Sequence, residues 1–124
     1  MVCRGIRGAT SVSTNYVEDI LQATREMLEQ IVAANGVKVG DLAGVIFTAT
    51  PDLDAAYPAQ AAREMGWTDV PLMCTQEMTV VNSLERCIRV LVLWNTGRPP
   101  DRIRHVYLGR ARELRPDLTE RGET

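Results

Sequence analysis

The 124 residues match the length of one domain with one core, and a chain of this size buries enough surface to fold without a disulfide or metal staple. With 45% hydrophobic and 24% charged residues it lies outside the disordered class. A net charge of −2 and a pI near 5.4 give the whole molecule no long-range pull toward nucleic acid or an anionic membrane.

Taken in chain order, residues 2–12 (VCRGIRGATSV) combine small and β-favouring types and stop before Ser13, Thr14 and Asn15, which predicts a strand. Asn15 with Glu18 three residues later resembles a capping box, and Val17, Ile20, Leu21, Thr24, Met27, Leu28, Ile31 and Val32 then recur at helical spacing. Asn35-Gly36 closes this helix, because glycine accepts the left-handed conformation just past a helix end. Leu42 to Thr50 (LAGVIFTAT) is a short apolar run expected to form a buried strand, broken by Pro51-Asp52. A second helix is expected from about Asp54 to Met65, with Pro58 in its first turn and Gly66 at its end. Val70 to Thr75, Arg86 to Trp94 and Arg104 to Leu108 read as further strands, and the second of these is the most apolar segment present. Asn95 to Pro100 is a loop by composition. The fold class is therefore α+β: one mixed sheet with two helices on one face. The strands show little polar alternation, so both sheet faces are expected to be covered, and oligomerisation would supply what two helices cannot. Residues 1–118 are expected to form the domain, and 119–124 a flexible tail.

The chemistry-bearing residues are few. Thirteen of the fourteen basic residues are arginine, a skew that suits bidentate carboxylate binding or reflects coding bias. Arg89 shares a strand face with Cys87, Leu91 and Leu93, while Ile88, Val90 and Val92 take the other. A guanidinium there needs a carboxylate, from the protein or from a bound anion. Arg7 has Gly5 and Ala9 as same-face neighbours, which leave room for a ligand, although Gly5 and Gly8 equally suit a bulge or a close backbone crossing. Tyr107 offers a hydroxyl, and Cys74 and Glu77 flank a strand end. His105, the one histidine, reads as structural. Cys3, Cys74 and Cys87 form no CxxC pair and have no zinc-type spacing with His105, so no metal or disulfide is expected and a reducing compartment suits them. There is no phosphate loop and no nucleophile elbow. Arg4 and Arg7 precede no apolar run of the signal-peptide kind, and no stretch approaches the ~20 apolar residues of a membrane span. A cytoplasmic protein without nucleic-acid or membrane partners is expected.

The segments RGIRGAT (4–10), ATPDL (49–53), CTQEM (74–78), CIRV (87–90), RHVYL (104–108) and LRPDL (114–118), six in order from Cys3 to Leu118, resemble the trimeric pseudo-α/β-barrel chorismate mutases. The resemblance implies a homotrimer with active sites in clefts between subunits, chorismate as the dicarboxylate substrate, prephenate as the product and no cofactor. It implies that Arg7 and Arg89 face the substrate, with Glu77, Cys74 and Tyr107 beside them. Arg63 and Arg115 fall on cleft-edge positions, and Tyr57 stands where an aromatic wall is commonly phenylalanine. Gln60 occupies a position that can be lysine, and Ala59, Met73 and Leu114 fall on apolar or backbone contact positions. Two other readings compete: the trimeric imine deaminases, which resemble chorismate mutases in fold, and a non-catalytic module that binds an anionic metabolite. The CTQE segment favours the mutase.

Overall fold

The computed structural model of the protein describes residues 1–114, so Arg115 and the tail expected at 119–124 lie outside the described residues. Its strands are β1 (Val2–Ser11), β2 (Leu42–Ala49), β3 (Leu72–Gln76), β4 (Cys87–Thr96) and β5 (Val106–Tyr107). Two α-helices, α1 (Val17–Asn35) and α2 (Ala59–Glu64), accompany 3-10 turns at Val39–Asp41, Pro100–Arg102 and Gly109–Glu113. The strands form one mixed sheet in the order β3-β2-β4-β1-β5. The most apolar segment takes the centre: β4 runs antiparallel to both β1 and β2, while β3 and β5 add parallel edges.

The predicted long helix is α1, whose buried face carries Ile20, Thr24, Met27, Leu28, Ile31 and Asn35 at i, i+4, i+7 spacing. Burying each Ile, Leu or Met there contributes about 1.5–3 kcal/mol relative to exposure. Gly36 ends the helix at φ 70° and donates its N–H to Val32 O at 2.8 Å, as expected of a left-handed cap. The start differs from the capping-box expectation. Tyr16 is the N-cap and offers no side-chain bond. Asn15 instead reaches across the chain, accepting N–H bonds from Asp54 (3.1 Å) and Ala55 (3.2 Å) and donating to Asp54 Oδ1 at 2.8 Å.

That capture also bears on why α2 is shorter than the predicted 54–65. The N–H groups of Asp54 and Ala55 are spent on Asn15, and Pro58 is the N-cap, outside the helix it was expected to sit in. β5 is shorter than 104–108 for a similar reason. The Arg104 N–H and C=O both bond to the buried Asn35 side chain, at 2.8 and 2.9 Å, and so leave the sheet ladder.

Both helices pack on one face of the sheet, α1 against β1, β5 and α2, and α2 against β3. Beneath them lie Ile6, Val45, Phe47, Ile88, Val90 and Val92, the centre of the core. Gly8 faces α1 directly: a Cβ there would lie 2.8 Å from both Ile31 Cδ1 and Val90 Cγ1. Of the two expectations for the β1 glycines, close approach holds at Gly8, and β1 pairs with β4 in unbroken register. The opposite sheet face is the one that two helices cannot reach, and the described residues leave it largely open. Leu91 is 38% and Met73 61% exposed, and the Arg89 side chain is 50% exposed. Among the described residues one end is roofed, where the Gly109–Glu113 turn closes Ala9, Cys87, Tyr107 and Ala111 into a small second cluster with Leu84 and Leu114.

Candidate active site

On this second face the sheet register gathers the predicted polar residues. Arg89 in the central strand pairs with Ala9 of β1 on one side and Thr48 of β2 on the other, and Ala9 in turn pairs with Tyr107 of β5. Arg7 lies two residues along β1, so its side chain emerges on the same face. Glu77 follows β3 and is tied back by its N–H to Ala49 O at 2.9 Å. Its Oε2 accepts from Arg89 Nε at 3.1 Å and from the Thr48 hydroxyl at 2.6 Å. Arg7, Ala9, Thr48, Glu77, Arg89 and Tyr107 line a cavity of about 360 Å³.

A neighbouring cavity of about 580 Å³ shares Glu77 and Arg89 and adds Cys87, Arg110 and Leu114. The carboxylate that Arg89 needs is therefore present in the protein, yet half of the arginine side chain remains open. Nε is used in that bond, and the two terminal nitrogens of the fork are further donors. Burial pushes the Cys87 thiol up from its ordinary value; the nearby Arg89 opposes this, while Glu77 adds to it.

The other predicted residues fall elsewhere. Cys74 pairs with Phe47, which faces the helices, so the period of two turns it away from Glu77. Cys74, Tyr57 and Gln60 line a separate cavity of about 560 Å³ with Asp54, Thr75 and Gln76. The expectation that Cys74 and Glu77 converge is thus not met inside a single chain. Tyr57 is exposed, Arg63 lies exposed in the last turn of α2, and Met73 lies on the open sheet face. Ala59 opens α2 with its side chain buried in the main core. Leu114, the last described residue, is half-buried over the Arg89 cavity.

Three contributors escaped sequence reasoning. Thr48 is the polar residue in an apolar strand, a signal that register alone turns into a contact with Glu77. His105 Nδ1 accepts the Arg7 N–H at 2.9 Å, which gives the structural reading of that histidine a definite task. Asp52 accepts the Arg86 N–H at 2.9 Å and the Thr50 hydroxyl at 2.5 Å, and Thr50 Oγ1 accepts the Cys87 N–H at 3.0 Å. Together these bonds anchor the entry to β4. Among the described residues no His/Cys/Asp/Glu group is arranged to hold a metal, and no helix is long and apolar enough to cross a membrane.

A family model for chorismate mutase type I matches residues 3–118. The chain belongs to the type I chorismate mutases. Chorismate mutase AroH of Thermus thermophilus is 55% identical over 116 residues, covering 93% of this chain and 95% of that protein. Chorismate mutase AroH of Bacillus subtilis (strain 168) is 49% identical over 120 residues, covering 96% and 94%. A solved chorismate mutase from Clostridium thermocellum superposes with a TM-score of 0.88 at 48% identity, over 90% of this chain and 99% of that one. The protein is accordingly a chorismate mutase, an isomerase that carries chorismate to prephenate in aromatic amino acid biosynthesis. The mixed sheet with two helices is the pseudo-barrel fold of that family, and the deaminase and non-catalytic readings give way to it.

Proposed function

We propose that the reaction takes place between two copies of the chain, in a cytoplasmic homotrimer, with Arg7, Arg89, Glu77 and Tyr107 from one copy and the Cys74–Tyr57 side from its neighbour. One observation carries this reading: the candidate site residues divide between two cavities, one on the open sheet face and one at the β2–β3 end beside α2. An open face bearing Leu91 and Met73 gives a second copy an apolar surface to cover.

Chorismate is a flexible dianion, and its rearrangement breaks an ether C–O bond while forming a C–C bond through a cyclic transition state. Neither proton transfer nor a covalent intermediate is required, so the protein's tasks are to hold the reactive shape and to stabilise charge on the ether oxygen. Arg89 donates to that oxygen through its terminal nitrogens, its angle fixed by Glu77 at 3.1 Å. Arg7 and Tyr107 hold carboxylate oxygens, with the Arg7 backbone fixed by His105. Glu77 and the neighbour's Cys74 engage the ring hydroxyl. Tyr57 packs on the ring with Met73, Ala59 and Leu114 near it, and Arg63 and Arg115 close the mouth. With Gln60 in place of a lysine the rim carries less positive charge. A fixed cation shielded from water acts without reorganising as the bond breaks.

Subunit mixing tests the shared site. An Arg89→Ala chain and a Tyr57→Ala/Cys74→Ala chain are each expected to be nearly inactive. Unfolding and refolding them together in equal amounts should restore about a quarter of the wild-type sites, because each mixed trimer rebuilds one intact interface. A mixture no more active than its separate components would show that each site is built within one chain.

A further inference from the structure

We infer that Thr48 is a positioning residue for this reaction, acting on Arg89 through Glu77. The inference rests on the proposed role of Arg89 at the ether oxygen. Thr48 stands beside Arg89 in the β2–β4 register, and its hydroxyl donates to the same Glu77 oxygen that accepts Arg89 Nε, at 2.6 and 3.1 Å respectively. That oxygen is therefore held from two sides. A rotation of Glu77 that kept the arginine would have to give up the hydroxyl.

The need for such a tie follows from where the two partners sit. Half of the Arg89 side chain is exposed, so packing alone does not set its fork. Glu77 leads into Met78, Thr79 and Val80, all exposed, and among the described residues its backbone is tied by the N–H bond to Ala49. Threonine suits the task, because its branched Cβ stiffens χ1 and the strand backbone then aims the hydroxyl. Misplacing a catalytic group by about 1 Å costs on the order of a hundredfold in rate, so a tie that removes a fraction of that freedom is worth a measurable part of turnover.

The test uses the purified full chain with Thr48→Val, Thr48→Ser, Glu77→Ala, the Thr48→Val/Glu77→Ala pair and Arg89→Lys. Valine keeps the shape and β-branching and removes only the hydroxyl. Thr48→Val should lower kcat about tenfold with KM within about twofold of wild type, and Thr48→Ser should recover most of the loss. On the Glu77→Ala background, which leaves neither partner an acceptor, the valine should add less than about twofold, since the two changes break one linkage. Should Thr48→Val fail to fold, Thr48→Ala carries the same expectations. Wild-type kcat in Thr48→Val, a defect confined to KM, no rescue by serine, or a full additional loss on the Glu77→Ala background would each overturn the inference. Arg89→Lys separates this from the reading beneath it. If Arg89→Lys loses at least about a hundredfold while Thr48→Val keeps wild-type kcat, only the role of Thr48 falls; if Arg89→Lys keeps turnover, the reading of Arg89 falls and the inference with it.

Discussion

Cys87 precedes Arg89 by two residues on the same face of β4 and is buried under the small cluster with Ala9, Tyr107 and Ala111. Burial is the largest influence on its thiol and raises its pKa above the ordinary 9.0, against the pull of Arg89. In the unfolded chain the same thiol loses its proton at the ordinary value. As pH rises past that value the unfolded state binds fewer protons than the native state, so the stability from Cys87 is complete below pH 9.0 and declines above it. Urea unfolding at several pH values should show wild-type stability falling more steeply on the alkaline side than that of Cys87→Ala. Parallel curves for the two proteins would contradict the burial of that thiol. At this scale the sequence was informative about Arg89, because strand alternation placed a charge beside Leu91 and Leu93. It was silent about Thr48, whose contact with Glu77 depends on two strands lying in register. Cys74 shows the limit of reading by adjacency: only Thr75 and Gln76 separate it from Glu77 along the chain, and the strand period sends the two to opposite faces.

The elements work by holding β1, β2 and β4 at fixed spacing and register. Asp52, Thr50 and Arg86 pin the entry to β4, and Arg86 itself is held at φ 45°, a conformation that non-glycine residues take only when their surroundings impose it. Gly8 lets α1 lie directly on β1, one residue from Arg7. Gly8→Ala would place a methyl 2.8 Å from Ile31 Cδ1 and Val90 Cγ1. Ile31 is fully buried and Val90 is branched, so neither can swing aside freely. Overpacking of this kind costs about 1–3 kcal/mol, more than the ~0.4–1 kcal/mol that alanine returns by restricting the unfolded chain. Thermal melting should therefore show Gly8→Ala destabilised, and an unchanged or raised Tm would mean that α1 stands further from the sheet. Helix α1 was legible because its apolar period is long and its glycine cap is local. The ends of α2 and β5 were not, since Asn15 and Asn35 take backbone partners 39 and 69 residues away.

At the scale of the whole molecule, the described residues form a sheet with helices on one face and Arg7, Glu77, Arg89 and Tyr107 gathered on the other. The lack of helical cover was visible in the sequence as strands too apolar for two helices, while which face went bare depended on how α1 and α2 pack together. A net charge of −2 offers a dianion no general attraction, so in the proposed mechanism binding falls to local arginines, and the main source of rate is the preset angle of Arg89. Arg89→citrulline, which keeps the planar shape and removes the charge, tests that claim most directly when turnover and chorismate binding are measured on the same preparation. Chorismate should still bind while kcat falls by at least about a hundredfold, whereas near-normal turnover in the citrulline protein would contradict the account.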